Sequence, residues 1–352
     1  MIIDLKNSSQ IKKLDPKNVL GSTALFASQC EQIWQEGKKI AFDSSFKNVW
    51  NIVISGMGGS AYGGYVIRAL FKDSLKVPLI SNNDYHLPYF VNNKSLVIVS
   101  SYSGSTEESL ASFEEAKQRG TKITGITSGG QLKESLDKIG ASYLLFDPKF
   151  NPSGQPRLGT GYMVVGLMTL LKNLNLISIA RGEIENAIIQ LKTSENPTQQ
   201  KAIEYAKKLK GYIPVIFSAD FLNGNAHIIR NQFNETSKTF SAFEDLPELN
   251  HHLMEGLKNP KDKKLKIIFL ASNLYPGEYK KRVKLTQDVV RKNGIDFIEY
   301  KAIGKTKLAQ TLNVLSFGGY LTLYLALLYK QDPSVIPWVD YFKEQLKRDM
   351  KI

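Results

Sequence analysis

Cysteine is nearly absent from this chain of 352 residues, where Cys30 stands alone. A single thiol can close no intrachain disulfide and build no cysteine zinc site. Apolar runs are short, and none approaches the ~20 residues a membrane span needs. The opening residues, MIIDLKNSSQIKKLD, lack the basic start and apolar centre of a secretory signal. Together these absences lead to the expectation of a reducing, cytoplasmic setting, with no membrane and no metal. Acidic residues are in deficit, 33 against 46 Lys plus Arg, leaving a net charge of +13. That excess asks for an anion, either a nucleic acid or a small molecule. No recognised nucleic-acid motif and no interleaved basic–aromatic module accompanies it, so no nucleic acid is expected.

What is present describes a folded protein. The hydrophobic share of 42% and charged share of 22% are ordinary for globular chains and exclude disorder over most of the length. At ~100–200 residues per domain the length predicts two domains. The first ~45 residues carry helical periodicity, with Leu25, Ile33 and Trp34 on an apolar face. Short apolar runs then alternate with helical stretches: Val49–Ser55, Val77–Ser81, Leu96–Ser101, Thr121–Thr127 and Ser142–Phe146. That alternation predicts a parallel sheet with helices on both faces. Asp147–Gly159 is rich in Pro and Gly and reads as irregular, and Tyr162–Leu176 as an apolar helix. The polar stretch Glu183–Gln200 reads as a connector. Beyond it the pattern restarts, with strands at Tyr212–Ser218, Leu265–Ala271 and Phe297–Lys301, an apolar helix at Leu312–Tyr329 and a basic helix at the end. Two similar α/β domains are expected, 1–185 and 186–352.

Two loops concentrate the chemistry. Gly56, Gly58 and Ala61 fit G-x-G-x-x-A between a strand and a helix, the dinucleotide fingerprint in its proper context. The fingerprint also wants an acidic residue at the end of the second strand, where this chain has Ser81, Asn82 and Asn83, with Asp84 late. The same loop could be a tight turn, or a phosphate site at a helix N-terminus. Ser101, Ser103, Ser105 and Thr106 surround Gly104 after the third strand. Four hydroxyls and exposed backbone N–H groups at a helix start make a neutral cup for a dianion. Two such loops at the carboxyl ends of neighbouring strands favour a phosphate ester, since ligands of open α/β sheets bind at that edge.

GMGGSA followed by SYSGST resembles a sugar isomerase (SIS) domain, and NPSGQPRLG resembles the QPR segment of bifunctional phosphoglucose/phosphomannose isomerases. Phe233-Asn234-Glu235, the run from Leu246 to His251 (LPELNH) and the ending YLALLYKQDPSVIPWVDYFKEQL are similar to later motifs of that family, in the same order. The resemblance implies two SIS-type doubly wound, flavodoxin-like parallel-sheet domains. It also implies isomerisation of glucose 6-phosphate, with mannose 6-phosphate a second substrate, to fructose 6-phosphate through a cis-enediolate and without a cofactor. By the same resemblance Glu235 is the base, Arg157 stabilises the enediolate, and His251 opens the sugar ring from a partner subunit with help from Lys343. The resemblance also implies that Gly58, Gly59, Ser60, Ser101, Ser103 and Thr106 hold the phosphate. Ile336 departs from the small polar residue of members acting on both sugars and leaves mannose 6-phosphate open. A homodimer with shared sites is implied. Two other readings stay open: a non-catalytic sugar-phosphate sensor on the same fold, and an NAD-dependent dehydrogenase resting on G-x-G-x-x-A alone.

Overall fold

Strands covered on both faces read as unbroken apolar runs, and this chain builds two sheets from such runs. The computed structural model describes residues 4, 5 and 7–349. Asn51–Ser55 (β1), Leu79–Asn82 (β2), Ser95–Ser100 (β3), Lys122–Thr127 (β4) and Leu144–Leu145 (β5) form a sheet of order β2-β1-β3-β4-β5. Every neighbouring pair in it is parallel. This is the flavodoxin-like doubly wound order, distinct from the 3-2-1-4-5-6 order of dinucleotide-binding sheets. Ile213–Ala219 (β6), Ala242–Leu246 (β7), Leu265–Ala271 (β8) and Phe297–Lys301 (β9) form a second parallel sheet of order β7-β6-β8-β9. The second sheet repeats the winding of the first, one edge strand short.

Several expectations need correction. β7 was not among the expected strands. It is an edge strand carrying Glu244 and Asp245, with four of its five residues only half-buried, so it has no apolar run to show. The supposed connector is two helices, Glu183–Thr193 and Glu195–Leu209. Ile184, Ala187, Ile188 and Leu191 of the first pack into the core of β1–β5, whereas Ala202, Ile203, Ala206 and Leu209 of the second pack into the core of β6–β9. A boundary between 185 and 186 therefore falls inside a helix. The N-terminal segment does not stay with the first sheet either: Leu5, Ile11 and Val19 lie in the core of the second.

The long helix Lys307–Leu328 starts earlier than expected and joins the two halves. Its Leu308, Leu312 and Leu315 enter the first core, and its Val314, Phe317 and Leu321 the second. Contrary to the expectation of no such segment, it is long and apolar enough to cross a membrane. It is buried along nearly its whole length between the cores, so its apolarity belongs to a central core helix. Phe317 lies flat on Tyr300, ring centroids 3.6 Å apart, and meets Tyr205 edge-on at 6.0 Å. Phe317→Ala removes both contacts from a fully buried position and is predicted to lower unfolding stability by about 3–5 kcal/mol, read as a fall in the urea midpoint.

Candidate active site

The loop after β1 is shaped by what it must approach. Gly58 takes φ +50°, which glycine adopts without strain. A side-chain carbon on Gly59 would stand 2.9 Å from the Arg157 Cα and backbone N and from the Pro156 carbonyl oxygen. The turn Gly58–Ala61 can thus lie directly on the QPR segment only because residue 59 has no side chain. Ser60 stitches the turn to the serine loop. Its carbonyl accepts from Ser100 Oγ at 2.7 Å, and its Oγ accepts from the Tyr102 N–H at 2.9 Å. The Ser60 hydroxyl proton is left to donate. Gly104 takes φ +70°, and a side chain there would overlap the Gly129 carbonyl oxygen.

Within the serine loop the hydroxyls hold one another. Ser101 Oγ donates to Thr106 Oγ1 at 3.0 Å and accepts from the Gly104 N–H at 3.1 Å. Ser103 Oγ lies 3.0 Å from Ser105 Oγ. Ser101 is buried, Ser103 is exposed, and Thr106 begins the helix Glu107–Gln118 without capping it by its side chain. The structure brings Gly58, Gly59, Ser60, Ser101, Ser103 and Thr106 to one edge of the sheet, on two loops joined through Ser60. A third loop locks to them. Asn151 Nδ2 donates to Tyr102 Oη at 2.8 Å and to the Gln155 carbonyl at 2.9 Å, and Gly159 leaves room for the Tyr102 ring.

Arg157 sits in the turn Pro156–Leu158 with its side chain only 2% exposed. An unpartnered cation there would be very costly, so four of its five N–H groups are hydrogen-bonded. Nε donates to Thr236 Oγ1 at 3.3 Å and Nη1 to Gln155 Oε1 at 3.0 Å. Nη2 donates to the carbonyls of Pro333 at 2.7 Å and Ser334 at 2.9 Å. Nη1 also faces Glu235 Oε2 at 3.8 Å, an ion pair looser than a hydrogen bond.

Glu235 ends the helix Asn223–Glu235, with 29% of its side chain exposed. Burial pushes its pKa above the usual carboxylate range, and Arg157, Lys343 and Lys238 pull the other way. Lys343 lies on the exposed helix Pro337–Asp349, near enough for its charge to be felt at Glu235. Ile336, half-buried, immediately precedes that helix, and its carbonyl accepts from the Asp340 N–H at 3.0 Å. His251 closes the turn Glu248–His251 beyond the edge strand β7 and is exposed. Lys238 and the carbonyls of residues 332–334 were not foreseen as parts of the site. The run NETSK and the DPS of the closing motif were their only signal.

Residues 198–346 match the family of the bacterial phospho-glucose isomerase C-terminal SIS domain. Across nearly the whole chain, a curated bifunctional phosphoglucose/phosphomannose isomerase of Caldicellulosiruptor bescii is 34% identical over 334 residues, 90% of this chain and 96% of the relative. The chain belongs to the bifunctional phosphoglucose/phosphomannose isomerase family. A second member, from Aquifex aeolicus, is 35% identical over 302 residues, 84% of this chain and 90% of its own length. Among solved structures, a hypothetical protein of Thermus thermophilus superposes with a TM-score of 0.73 at 16% identity, covering 97% of this chain and 94% of its own. That likeness is one of fold.

The close approach at Gly59 gives a direct test of the loop geometry. Gly59→Ala must push either the glycine loop or the Arg157 backbone aside, and is predicted to destabilise the protein by about 1–3 kcal/mol by overpacking, seen in thermal unfolding.

Proposed function

We propose that this chain is a cytoplasmic aldose–ketose isomerase that interconverts glucose 6-phosphate with fructose 6-phosphate, with mannose 6-phosphate the second sugar to assay. The observation that carries the reading is the pairing of a buried Arg157, four of its five N–H groups hydrogen-bonded, with a partly buried Glu235, 3.8 Å apart, beside a hydroxyl-lined cup. The cup contains no Lys or Arg. Its donors are the backbone of Gly58 and Gly59 and the hydroxyls of Ser60, Ser101, Ser103 and Thr106, which suits a phosphate dianion at a helix start.

With the phosphate held there, the sugar's C1 and C2 would lie towards Glu235. Ring opening needs a proton moved to the ring oxygen and one taken from the C1 hydroxyl. Lys343 and His251 of the partner subunit are the groups assigned to it, and histidine exchanges protons near neutral pH. Glu235 then removes the C2 proton of the open aldose. The electron pair forms the C1–C2 double bond of a cis-enediolate, whose oxygen charge faces Arg157. The hydroxyl proton shifts between the two oxygens, and Glu235 returns its proton to C1. No electron leaves the sugar. His251, exposed on the turn that follows the edge strand β7, is open to a second copy of the chain, which fits a homodimer with sites shared across the interface.

A sugar-phosphate sensor would keep the cup without a working base, so Glu235→Gln separates the two readings. The variant is predicted to lose at least about 10²–10⁴ in kcat in a coupled assay while still binding fructose 6-phosphate by calorimetry. Full activity in the variant sinks the base assignment, and an inactive wild-type chain that binds the sugar phosphate favours the sensor. Because burial raises the Glu235 pKa and the base must be ionised, kcat should fall on the acid side at a pH above the free Glu value of ~4.3. Mixing Glu235→Gln chains with His251→Ala chains should restore part of the activity. Mixed dimers that form and stay inactive contradict the shared site.

A further inference from the structure

Lys238 lies where the catalytic reading above assigns no role. It sits three residues past Glu235 with φ +51°, a left-handed conformation uncommon for a side-chain-bearing residue. The turn that holds it is built locally: Ser237 Oγ donates to the Phe233 carbonyl at 2.8 Å, and the Thr239 N–H to the same carbonyl at 3.0 Å. From this turn the half-buried ammonium donates to the carbonyls of Thr236 and Asp332. The next two carbonyls along the chain, Pro333 and Ser334, are those taken by Arg157 Nη2. Three consecutive carbonyls are therefore held by two cations. The segment is braced from within, since Asp332 Oδ1 accepts from the Ser334 N–H at 2.7 Å and from its Oγ at 2.6 Å. Three residues after Ser334 begins the helix that carries Lys343.

We propose that Lys238 is a positioning residue of the isomerase site: it docks the Asp332–Ser334 segment, and with it the Lys343 helix, against the end of the base-bearing helix, and sets its ammonium on the turn that follows Glu235. The inference rests on the isomerase reading for its kinetic consequences but not for its electrostatic one. The charged groups around Lys238 are Arg157, Asp332 and Glu235, and the titratable groups around Glu235 are Arg157, Lys343, Lys238 and the buried Tyr62. Burial, with Arg157 adding to it, lowers the Lys238 pKa to about 8 against the pull of Asp332 and Glu235, so the charge is present at neutral pH and fades as pH rises through 8.

The test compares Lys238→Gln, which can still donate to both carbonyls, with Lys238→Met, which cannot, and Lys238→Arg, which restores charge. Removing a nearby cation should raise the Glu235 pKa by about one unit, the scale of a close charge pair. Lys238→Gln should then move the acid limb of kcat upward by that amount, with KM changed less than about threefold, and Lys238→Arg should move it back. Lys238→Met should add a loss of kcat at all pH. The Glu235 carboxyl, titrated by carbon-13 NMR and assigned with Glu235→Gln, should show the same shift with no turnover required. An unmoved carboxyl titration in Lys238→Gln overturns the proposal. So does a Lys238→Met variant that is merely less stable, with an unshifted acid limb. If the wild-type chain does not isomerise, the isomerase reading fails, and the NMR titration alone decides for or against Lys238.

Discussion

Taking a guanidinium out of water costs several kcal/mol unless its hydrogens are used and its charge is answered. Arg157 meets that condition through Thr236, Gln155, Pro333, Ser334 and the nearby carboxylate of Glu235. These partners come from three separate stretches of chain, so placing one side chain fixes the QPR turn, the end of the Asn223–Glu235 helix and the approach to the C-terminal helix together. Gly59 is bare because the glycine loop must lie against the Arg157 backbone. Thr236 directly follows Glu235, so the bond to Arg157 Nε ties the end of that helix to the QPR turn. A looser contact at 3.8 Å, in place of a full salt bridge, leaves Glu235 open to a third group.

The two sheets share a winding order, yet among the described residues the proposed hydroxyl cup lies at the edge of the first. At the matching point of the second, after β6, the turn Asp220–Leu222 opens with a buried carboxylate. Asp220 takes φ +51° and is answered by Lys72 and Lys307. That position holds a carboxylate paired with two lysines where the first sheet has its glycine loop, so the repeat of fold is not a repeat of the same loop chemistry. The same contrast answers what the charge of +13 is for. The proposed cup offers hydroxyls and backbone amides as its donors. The basic excess can concentrate an anionic substrate near the surface, but the site itself is neutral until Arg157 and Glu235.

Much of this was legible in the residues. Buried parallel strands announce themselves as apolar runs, and the glycine and serine loops sit at strand ends where ligands bind. β7 was hidden because an edge strand with Glu244 and Asp245 has no such run. The helices between 183 and 209 were hidden because their apolar positions are diluted by Lys, Gln and Glu. Lys238 looks, in sequence, like any solvated lysine; only the fold brings it to the Asp332 carbonyl, 94 residues on. The roles of Glu235, Arg157, Lys343 and His251 came from the resemblance, and no spacing could have supplied them.

The central claim is that one small phosphate ester lies between the hydroxyl cup and the Arg157–Glu235 pair. A crystal structure of the Glu235→Gln variant with fructose 6-phosphate tests it most directly. The phosphate should lie between Gly58–Ser60 and Ser101–Thr106, with the sugar's C1 and C2 facing Arg157 and residue 235. A sugar phosphate seated elsewhere contradicts it, for instance in the cleft of about 400 Å³ lined by Tyr65, Arg68, Lys72, Asp220 and His227.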